Sequence, residues 1–336
     1  MMKPVNFLRR GLVLAALALS VAPAAAQERT APEPGKTYRV GYAQLVDHPA
    51  LNATREGVIE ALKEAGFEEG KNLVFDYQNA QGNPGAARNI IDKFVADGDD
   101  VIAPCTTPLA QAAIKLTQGS SVPVAFGCVT NPVQTGILAA TDKATGTNVT
   151  GFYTMPPVKR NIEMFLEIQP QMKRVGAIWN SGESNSEAMV KLAQAEIEAR
   201  GMSWVPVAIT SSAEVKNAAE SLVGKVDAIV TPQDNTVASA YQALEKVVRD
   251  NQIPWFTFDS QAVEQGAIAA MSQDQIQAGR EWARQVIVPV LLGKPAGELV
   301  PVEGNVYETR VNLAAAKAAG LTVPQDIVGR ASRVFK

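Results

Sequence analysis

Six short apolar runs in this chain each stop abruptly at a cluster of small polar residues, and a helix-like pattern usually follows. The six junctions are residues 43–49, 105–108, 128–132, 179–186, 232–236 and 258–261. Strand-to-helix junctions of a parallel sheet all lie at the carboxyl ends of the strands, where open α/β sheets bind ligands. The sequence therefore predicts a neutral binding edge, rich in hydroxyl and amide groups, that is built twice.

Short β-rich runs alternate with helical spacing through both halves of the chain. Predicted strands are residues 38–44, 72–78, 100–105, 122–128 and 148–153, then 174–179, 203–209, 226–231, 253–258 and 267–271. Predicted helices are residues 50–65, 86–96, 186–200, 213–223 and 237–250, and a helix at 275–292 and a strand near 306–312 follow. Similar short segments recur: residues 40–42 as 175–177, 100–104 as 227–232, and 122–124 as 253–255. The fold class predicted from this pattern is α/β, with two similar doubly wound parallel-sheet lobes.

The first 26 residues are typical of a cleaved signal peptide rather than of the fold. Lys3, Arg9 and Arg10 form a basic start, residues 11–22 are apolar, and small residues precede Gln27. A membrane anchor is the alternative interpretation, but the apolar run is too short to span a bilayer. No cysteine lies near the cleavage point, so we expect no lipid anchor. Residues 27–36 are expected to form a loose leader on a soluble exported protein.

Composition excludes some classes of partner. The chain has a formal net charge of −3, and only 6% of its residues are aromatic. It has no basic run, so nucleic-acid binding lacks an electrostatic footprint. With a single histidine, His48, it cannot build a multi-histidine metal site, and we expect no metal and no cofactor.

Several distinctive segments occur together and in the order of a known family. They are QLVDHPALN at residues 44–52, DYQNAQG at 76–82, NVTG at 148–151, GESNS at 182–186, LVGKVDAI at 222–229 and DNT at 234–236. From about residue 38 to 320 the chain resembles the type I periplasmic substrate-binding proteins of ABC importers, in the tryptophan and aromatic amino-acid branch. It departs from the usual pattern at Asn131, where we expect Asp, at Gln233, where Thr is common, and at Trp179, where Tyr is common.

The resemblance implies a Venus-flytrap clamp that acts as a monomer and breaks no bond in its ligand. Two lobes joined by a three-segment hinge would close on a small hydrophobic or aromatic amino acid, and the closed form would dock on an ABC permease. We expect residues 37–151 and 273–301 in the N-terminal lobe and residues 152–272 and 302–336 in the C-terminal lobe. A different small solute, or a sensor that feeds a membrane receptor, is the alternative.

Candidate ligand contacts lie on the junctions. They are Gln44, His48, Thr106, Thr107, Thr130, Asn131, Trp179, Asn180, Asn185, Asp234, Asn235 and Asp259. The resemblance implies that the turns at 106–107 and 130–131 hold the ligand carboxylate, and that Asp259 pairs with its ammonium group. Thr107, Asn131, Ser186, Asp234 and Asn235 also suit helix N-caps.

Three assignments stay open at the level of sequence. Trp179 is either an aromatic wall of the site or part of the core, and His48 either lines the cleft or starts a helix. Cys105 and Cys128 are either a disulfide or two buried thiols. A hydrolase is disfavoured, since no G-x-S-x-G elbow occurs and a Cys128–His48 pair is the one catalytic arrangement that the residues allow.

Overall fold

A computed structural model describes Met1 and residues 29–83 and 85–336. The predicted signal peptide, apart from Met1, and the first residues of the leader lie outside the described residues. Within the described part of the chain, no helix is long and apolar enough to cross a membrane.

The first lobe contains alternating strands and helices. Its elements are β1 Tyr38–Gln44, α1 Pro49–Glu64, β2 Leu73–Asn79, α2 Ala86–Ala96, β3 Val101–Cys105, α3 Thr107–Leu116, β4 Val124–Val129 and β5 Val149–Tyr153. They form a parallel sheet, to which a later strand, β11 (Val302–Glu303), is added, in the order β11-β5-β4-β3-β1-β2.

The second lobe repeats this plan. Its elements are α4 Val158–Ile168, β6 Arg174–Asn180, α5 Ser184–Glu198, β7 Ser203–Ile209, a 3-10 turn at Ser212–Glu214, α6 Val215–Leu222, β8 Ala228–Thr231, α7 Asn235–Ala238, α8 Tyr241–Asp250, β9 Trp255–Thr257, α9 Ser260–Glu264 and β10 Ala269–Gln273. The parallel strands run in the order β7-β6-β8-β9.

The remaining chain returns to the first lobe and then ends in the second. Its elements are α10 Gln275–Trp282, a π-helical turn at Ala283–Ile287, α11 Val288–Leu291, a 3-10 turn at Ala296–Glu298, β11, β12 Tyr307–Asn312, α12 Leu313–Ala318, α13 Gln325–Arg330 and β13 Arg333–Phe335. Strands β10, β12 and β13 form a further small sheet, in which β10 and β12 are antiparallel. The predicted α/β fold of two parallel-sheet lobes is confirmed, and the chain passes between them three times.

The internal repeat extends to matching strand registers. Gly41 of β1 pairs with Ile102 of β3, and Gly176 of β6 pairs with Ile229 of β8. A Cβ atom at Gly41 would clash with Phe94, and one at Gly176 would clash with Leu222. Both repeats therefore need glycine where a helix packs closely on the central strand.

An aspartate occupies the same place in each repeat. The backbone N–H of Arg39 donates to Asp100 Oδ2 at 2.8 Å, and that of Arg174 donates to Asp227 Oδ2, also at 2.8 Å. Each carboxylate ties the start of a central strand to the loop before its neighbour, so the repeat suggested by the sequence is confirmed in the structure.

Some boundaries differ from those predicted. Residues 237–250, predicted as one helix, lie in two helices, because the backbone at Ala240 leaves the helical region before α8. The predicted helix 275–292 contains a π turn just before Pro289, whose missing N–H interrupts regular bonding. β5 pairs with β11, so the first sheet includes Tyr153, Val302 and Glu303. The two segments of the first lobe were predicted to end at residues 151 and 301, so each extends two residues further in the structure. The predicted helices and strands did not include α3, α4, α9, α12, α13, β11 or β13.

Candidate functional site

A small cavity of about 60 Å³ lies between the two lobes, at the carboxyl ends of their strands. The lining residues are His48, Ala50, Leu51, Cys128, Thr130, Thr154, Asn185, Gln233, Asp234, Asn235, Ala238, Asp259 and Gln275. The lining mixes apolar carbon from Leu51, Ala50 and Ala238 with hydroxyl, amide and carboxylate groups.

A disulfide holds the first-lobe wall together. Cys105 ends β3 and Cys128 lies near the end of β4, and their Cα atoms are 4.9 Å apart. Cys128 lines the cavity in a left-handed backbone conformation, with φ of 53°. The bond fixes the ends of two neighbouring strands directly beside the cavity, so the question that the sequence left open is answered by a disulfide.

The turn after β3 carries two buried hydroxyl groups that no described residue satisfies. Thr106 has a φ of 127°, a conformation that a β-branched residue rarely adopts. Neither its Oγ1 atom nor that of Thr107 has a hydrogen-bond partner among the described residues. Neither threonine caps α3 through its side chain. Strain and unpaired buried hydroxyls in one turn are typical of a functional segment.

Asp234 is the central carboxylate of the second-lobe wall. Its Oδ2 atom accepts from the backbone N–H of Asn180 and from Ser186 Oγ, both at 2.6 Å, and its Oδ1 atom accepts from the N–H of Val237 at 2.8 Å. Of the two predicted caps in this turn, Asp234 and Asn235, it is Asp234 that caps the start of α7. Burial, followed by the nearby Glu183 carboxylate, raises the pKa of Asp234 to about 7.

Glu183 supports the same turn and was not among the predicted site residues. Its carboxylate accepts from the backbone N–H groups of Asn235 and Thr236, at 3.1 and 3.0 Å, and from their side chains at 2.5 and 2.7 Å. It is 4% exposed. In the sequence Glu183 lies among glycine and serine residues, a pattern that usually indicates a solvated loop.

Asp259 lies on the next turn, after β9. Its Oδ1 atom accepts from the N–H of Gln261 at 2.9 Å, and its Oδ2 atom accepts from Tyr241 Oη at 3.2 Å. Both carboxylate oxygens are held in place while the group lines the cavity. Among the described lining residues none is lysine or arginine, so the charged side chains of the wall, Asp234 and Asp259, favour a cationic ligand group.

His48 brings the first lobe against this acidic wall. Burial lowers the pKa of its imidazole, whereas the Asp259 carboxylate and the Asn235 side chain act in the opposite direction. Its Nδ1 atom is buried and has no partner within the described residues. A second contact between the lobes lies outside the cavity, where Gln111 Nε2 donates to Ser184 Oγ at 3.2 Å.

Half of the predicted contacts line this cavity. These are His48, Thr130, Asn185, Asp234, Asn235 and Asp259. The lining also includes Cys128, Thr154, Gln233 and Gln275, which were not among the predicted contacts. Thr154 and Gln275 lie on crossover segments, and no residue pattern distinguishes such positions in a sequence.

The other predicted contacts are placed elsewhere. Gln44 donates to Val46 O and Asn52 Oδ1, and Asn180 donates to Thr236 Oγ1, so both side chains tie loops together. Asn131 Oδ1 accepts from the N–H of Gln134 and caps a turn.

Trp179, which the sequence left open as an aromatic wall or as part of the core, does not line the cavity. Trp179 is half-buried near the end of β6 and is absent from the cavity lining, as are Thr106 and Thr107. No group of three or more metal-ligating side chains occurs in the described residues.

Comparisons with known proteins agree with this architecture. Residues 39–335 match the model of the ABC transporter substrate binding protein family. A tyrosine-binding protein from Clostridioides difficile is 33% identical over 275 residues, which are 82% of this chain and 79% of that protein. The crystal structure of an ABC domain from Streptococcus pneumonia in complex with L-Trp is 27% identical, with a TM-score of 0.85, and covers 89% of this chain and 100% of its own.

A third comparison bears on conformation. The ligand-free, open structure of a substrate-binding protein with adhesive properties from Clostridium difficile is 32% identical over the same coverage, 89% of this chain and 100% of that one, but its TM-score is only 0.66. The chain therefore superposes better on the ligand complex than on the more similar sequence in its open form. The fold is that of type I periplasmic binding proteins, and the chain belongs to the ABC transporter substrate-binding protein family.

Proposed function

We propose that this protein captures a small hydrophobic or aromatic amino acid between its lobes and delivers it to an ABC permease. The observation that carries the proposal is the pair of carboxylates, Asp234 and Asp259, that line the cavity with no lysine or arginine among the described lining residues. An α-ammonium group would form charge-assisted hydrogen bonds with this wall.

The opposite wall suits the other end of an amino acid. Thr130 and Thr154 line it, and the buried hydroxyl groups of Thr106 and Thr107 lie in the neighbouring turn without partners in the described chain. Hydroxyl groups and the N-terminal backbone of α3 would accommodate a carboxylate. Leu51 and Ala238 offer apolar surface for the side chain. The relatives named for tyrosine and in complex with L-Trp support the same ligand class.

We also propose that the protein binds its ligand without catalysing a reaction on it. Cys128 is bonded to Cys105, so it has no thiol to pair with His48 as a nucleophile. We further propose that the chain acts as a monomer. Residues 1–26 would direct its export to the periplasm, where it would meet the ABC permease.

A thermal-shift screen tests the ligand class. The purified protein is unfolded and refolded to remove any carried ligand, then screened against the twenty amino acids, small organic acids and simple sugars. A ligand at one hundred times its dissociation constant stabilises by about 2.7 kcal/mol. We expect shifts only with aromatic or branched amino acids, whereas a response limited to sugars or organic acids would contradict the proposal.

A further inference from the structure

Gln111 and Ser184 contact each other across the cleft, at a point outside the cavity. Gln111 lies on α3 of the first lobe, and Ser184 is the first residue of α5 in the second lobe. The Nε2 atom of Gln111 donates to Ser184 Oγ at 3.2 Å. Neither residue is among those that line the cavity. This hydrogen bond therefore joins the two lobes without bordering the space that a ligand would fill.

The first lobe fixes the orientation of the Gln111 amide. Its Nε2 atom also donates to the backbone oxygen of Thr135 at 2.7 Å, in the segment between β4 and β5. A flipped amide would place its own oxygen against that carbonyl oxygen. Thr135 is held in turn, because its N–H and its hydroxyl group donate to Asn131 O at 3.0 and 2.6 Å. One N–H of the amide is thus bonded within the lobe, which leaves the second to donate across the cleft.

The second lobe holds Ser184 beside its cavity wall. Ser184 directly follows Glu183 in the sequence. The Glu183 carboxylate accepts from the backbone N–H groups of Asn235 and Thr236. On the other side of Ser184, the next residue, Asn185, lines the cavity. Since each partner is held by its own lobe before the two meet, their hydrogen bond costs little additional conformational entropy.

The bond between Gln111 and Ser184 depends on closure of the lobes. Opening of the cleft would separate these residues, whereas the bond from Gln111 to Thr135 lies within one lobe and would persist. The conformation described here resembles a ligand complex more closely than an open form. A contact made in only one of two conformations shifts their equilibrium toward that conformation by its own free energy.

We propose that Gln111 and Ser184 form a latch that stabilises the closed form without contacting the ligand. The latch rests on the proposed capture of a ligand between the lobes, but not on which ligand is captured. Because it acts on closure alone, it raises the affinity for every ligand by the same factor. The net free energy of one neutral hydrogen bond predicts a factor of about three to ten.

A double-mutant cycle tests the latch by calorimetric titration with L-tyrosine and with L-tryptophan. Gln111→Met removes the donor and keeps the length of the side chain, and Ser184→Ala removes the acceptor. Each change should weaken binding about three- to tenfold, equally for both amino acids. The double variant should bind no more weakly than the single variants. Additive losses, unchanged affinity, or losses that differ between the amino acids would overturn the latch and leave the proposed function standing.

Gln194→Met is the matched control, because Gln194 lies on α5 and donates to Glu198 of the same helix. This variant loses a glutamine hydrogen bond that does not cross the cleft, so it should bind both amino acids with the affinity of the wild type. A loss as large as that in Gln111→Met would show that the effect does not depend on the contact between the lobes, and would overturn the latch.

Cross-linking tests the contact in ligand-stripped protein. The described part of the chain has no free cysteine, so a short bis-alkylating reagent can join the pair Gln111→Cys/Ser184→Cys selectively. The control pair is Gln118→Cys/Ser184→Cys, since Gln118 lies past the end of α3. We expect the first pair to cross-link several times faster than the control. Equal rates would overturn the latch whether or not either amino acid binds, whereas a fast first pair with no amino-acid binding would overturn the proposed ligand class alone.

Discussion

The carboxylate of Glu183 accepts hydrogen bonds from both the backbone nitrogen and the side-chain nitrogen of Asn235, at 3.1 and 2.5 Å. This relationship joins the turn after β6 to the turn after β8, and both turns reach the cavity. Glu183 also places a negative charge at the N-terminus of α7, where unpaired N–H groups favour it. The second-lobe wall is therefore built around a buried carboxylate that does not itself line the cavity.

Removal of this carboxylate should destabilise the second lobe. Glu183→Ala leaves the N–H groups of Asn235 and Thr236 without their partner, and we expect the free energy of unfolding to fall by about 2–4 kcal/mol. Chemical denaturation measures the change. The surface variant Glu187→Ala, on the helix that begins directly after Glu183, removes an exposed ion pair with Lys191 and should cost less than about 1 kcal/mol. Equal losses in the two variants would contradict the role of Glu183.

Asp259 should carry much of the affinity for the ligand ammonium group. Asp259→Asn keeps an oxygen that can accept from the N–H of Gln261, so the fold should survive, while the charge is lost. We expect amino-acid affinity to fall at least about tenfold, because a charge-assisted hydrogen bond is replaced by a neutral one. Calorimetric titration measures this.

The matched control for that prediction is Asp274→Asn. Asp274 caps α10 in the same way, through the N–H of Gln277, but does not line the cavity. The Asp274→Asn variant should bind the ligand with the affinity of the wild type. Unchanged affinity in Asp259→Asn would remove its assigned role.

Binding of an ammonium ligand should strengthen as the pH rises from 6 to 8. Burial and Glu183 raise the pKa of Asp234 to about 7, so its charged form becomes dominant over this range, and affinity should rise about tenfold if that charge is required. Burial lowers the pKa of His48, which moves its titration away from the range between pH 6 and 8. Titrations of Asp234→Asn should lack the rise, and the same rise in that variant would assign it to another group.

The ligand-free protein should show the opposite trend in stability. Because the pKa of Asp234 is higher in the fold than in the unfolded chain, its contribution is fully present below about pH 4 and is lost as the pH rises through about 7. The melting temperature should therefore fall over that range more in the wild type than in Asp234→Asn. A steeper fall in the variant would reverse the assigned sign.

The disulfide should support both stability and binding. Cys105 and Cys128 are separated by 23 residues in the sequence, and loss of such a cross-link costs about 3 kcal/mol in the chain-entropy model. The bond also positions the turns that carry Thr106 and Thr130. In the double variant Cys105→Ala/Cys128→Ala, we expect tryptophan to lose more affinity than tryptamine, which lacks the carboxylate. Equal changes for the two ligands would show that the bond is structural only.

The fold could be predicted from sequence because its signals repeat. The glycines at 41 and 176 and the aspartates at 100 and 227 recur with their surroundings, and the strand pairing reproduces both. The predicted carboxyl ends of the strands also indicated which edge of each sheet faces the cavity. Short local regularities such as α9 and β13 gave no comparable pattern.

The ligand contacts were harder to predict, because a residue's position on the sheet edge does not determine whether its side chain points into the cavity. Asn180 and Gln44 lie at the expected edge, but nearby donors and acceptors satisfy their side chains locally. Leu51 lies on the apolar face of α1, where cavity lining and core packing have the same sequence pattern. Gln275 reaches the cavity only because the chain crosses between lobes before α10.

The most direct test of the central claim is a calorimetric titration of the ligand-stripped wild-type protein with L-tyrosine and with L-tryptophan. Capture between two lobes predicts saturable binding of at least one of them, with one ligand per chain and a negative heat-capacity change from buried apolar surface. No heat with either amino acid at several temperatures, in protein shown to be folded, would contradict the account of this cavity as an aromatic amino-acid site.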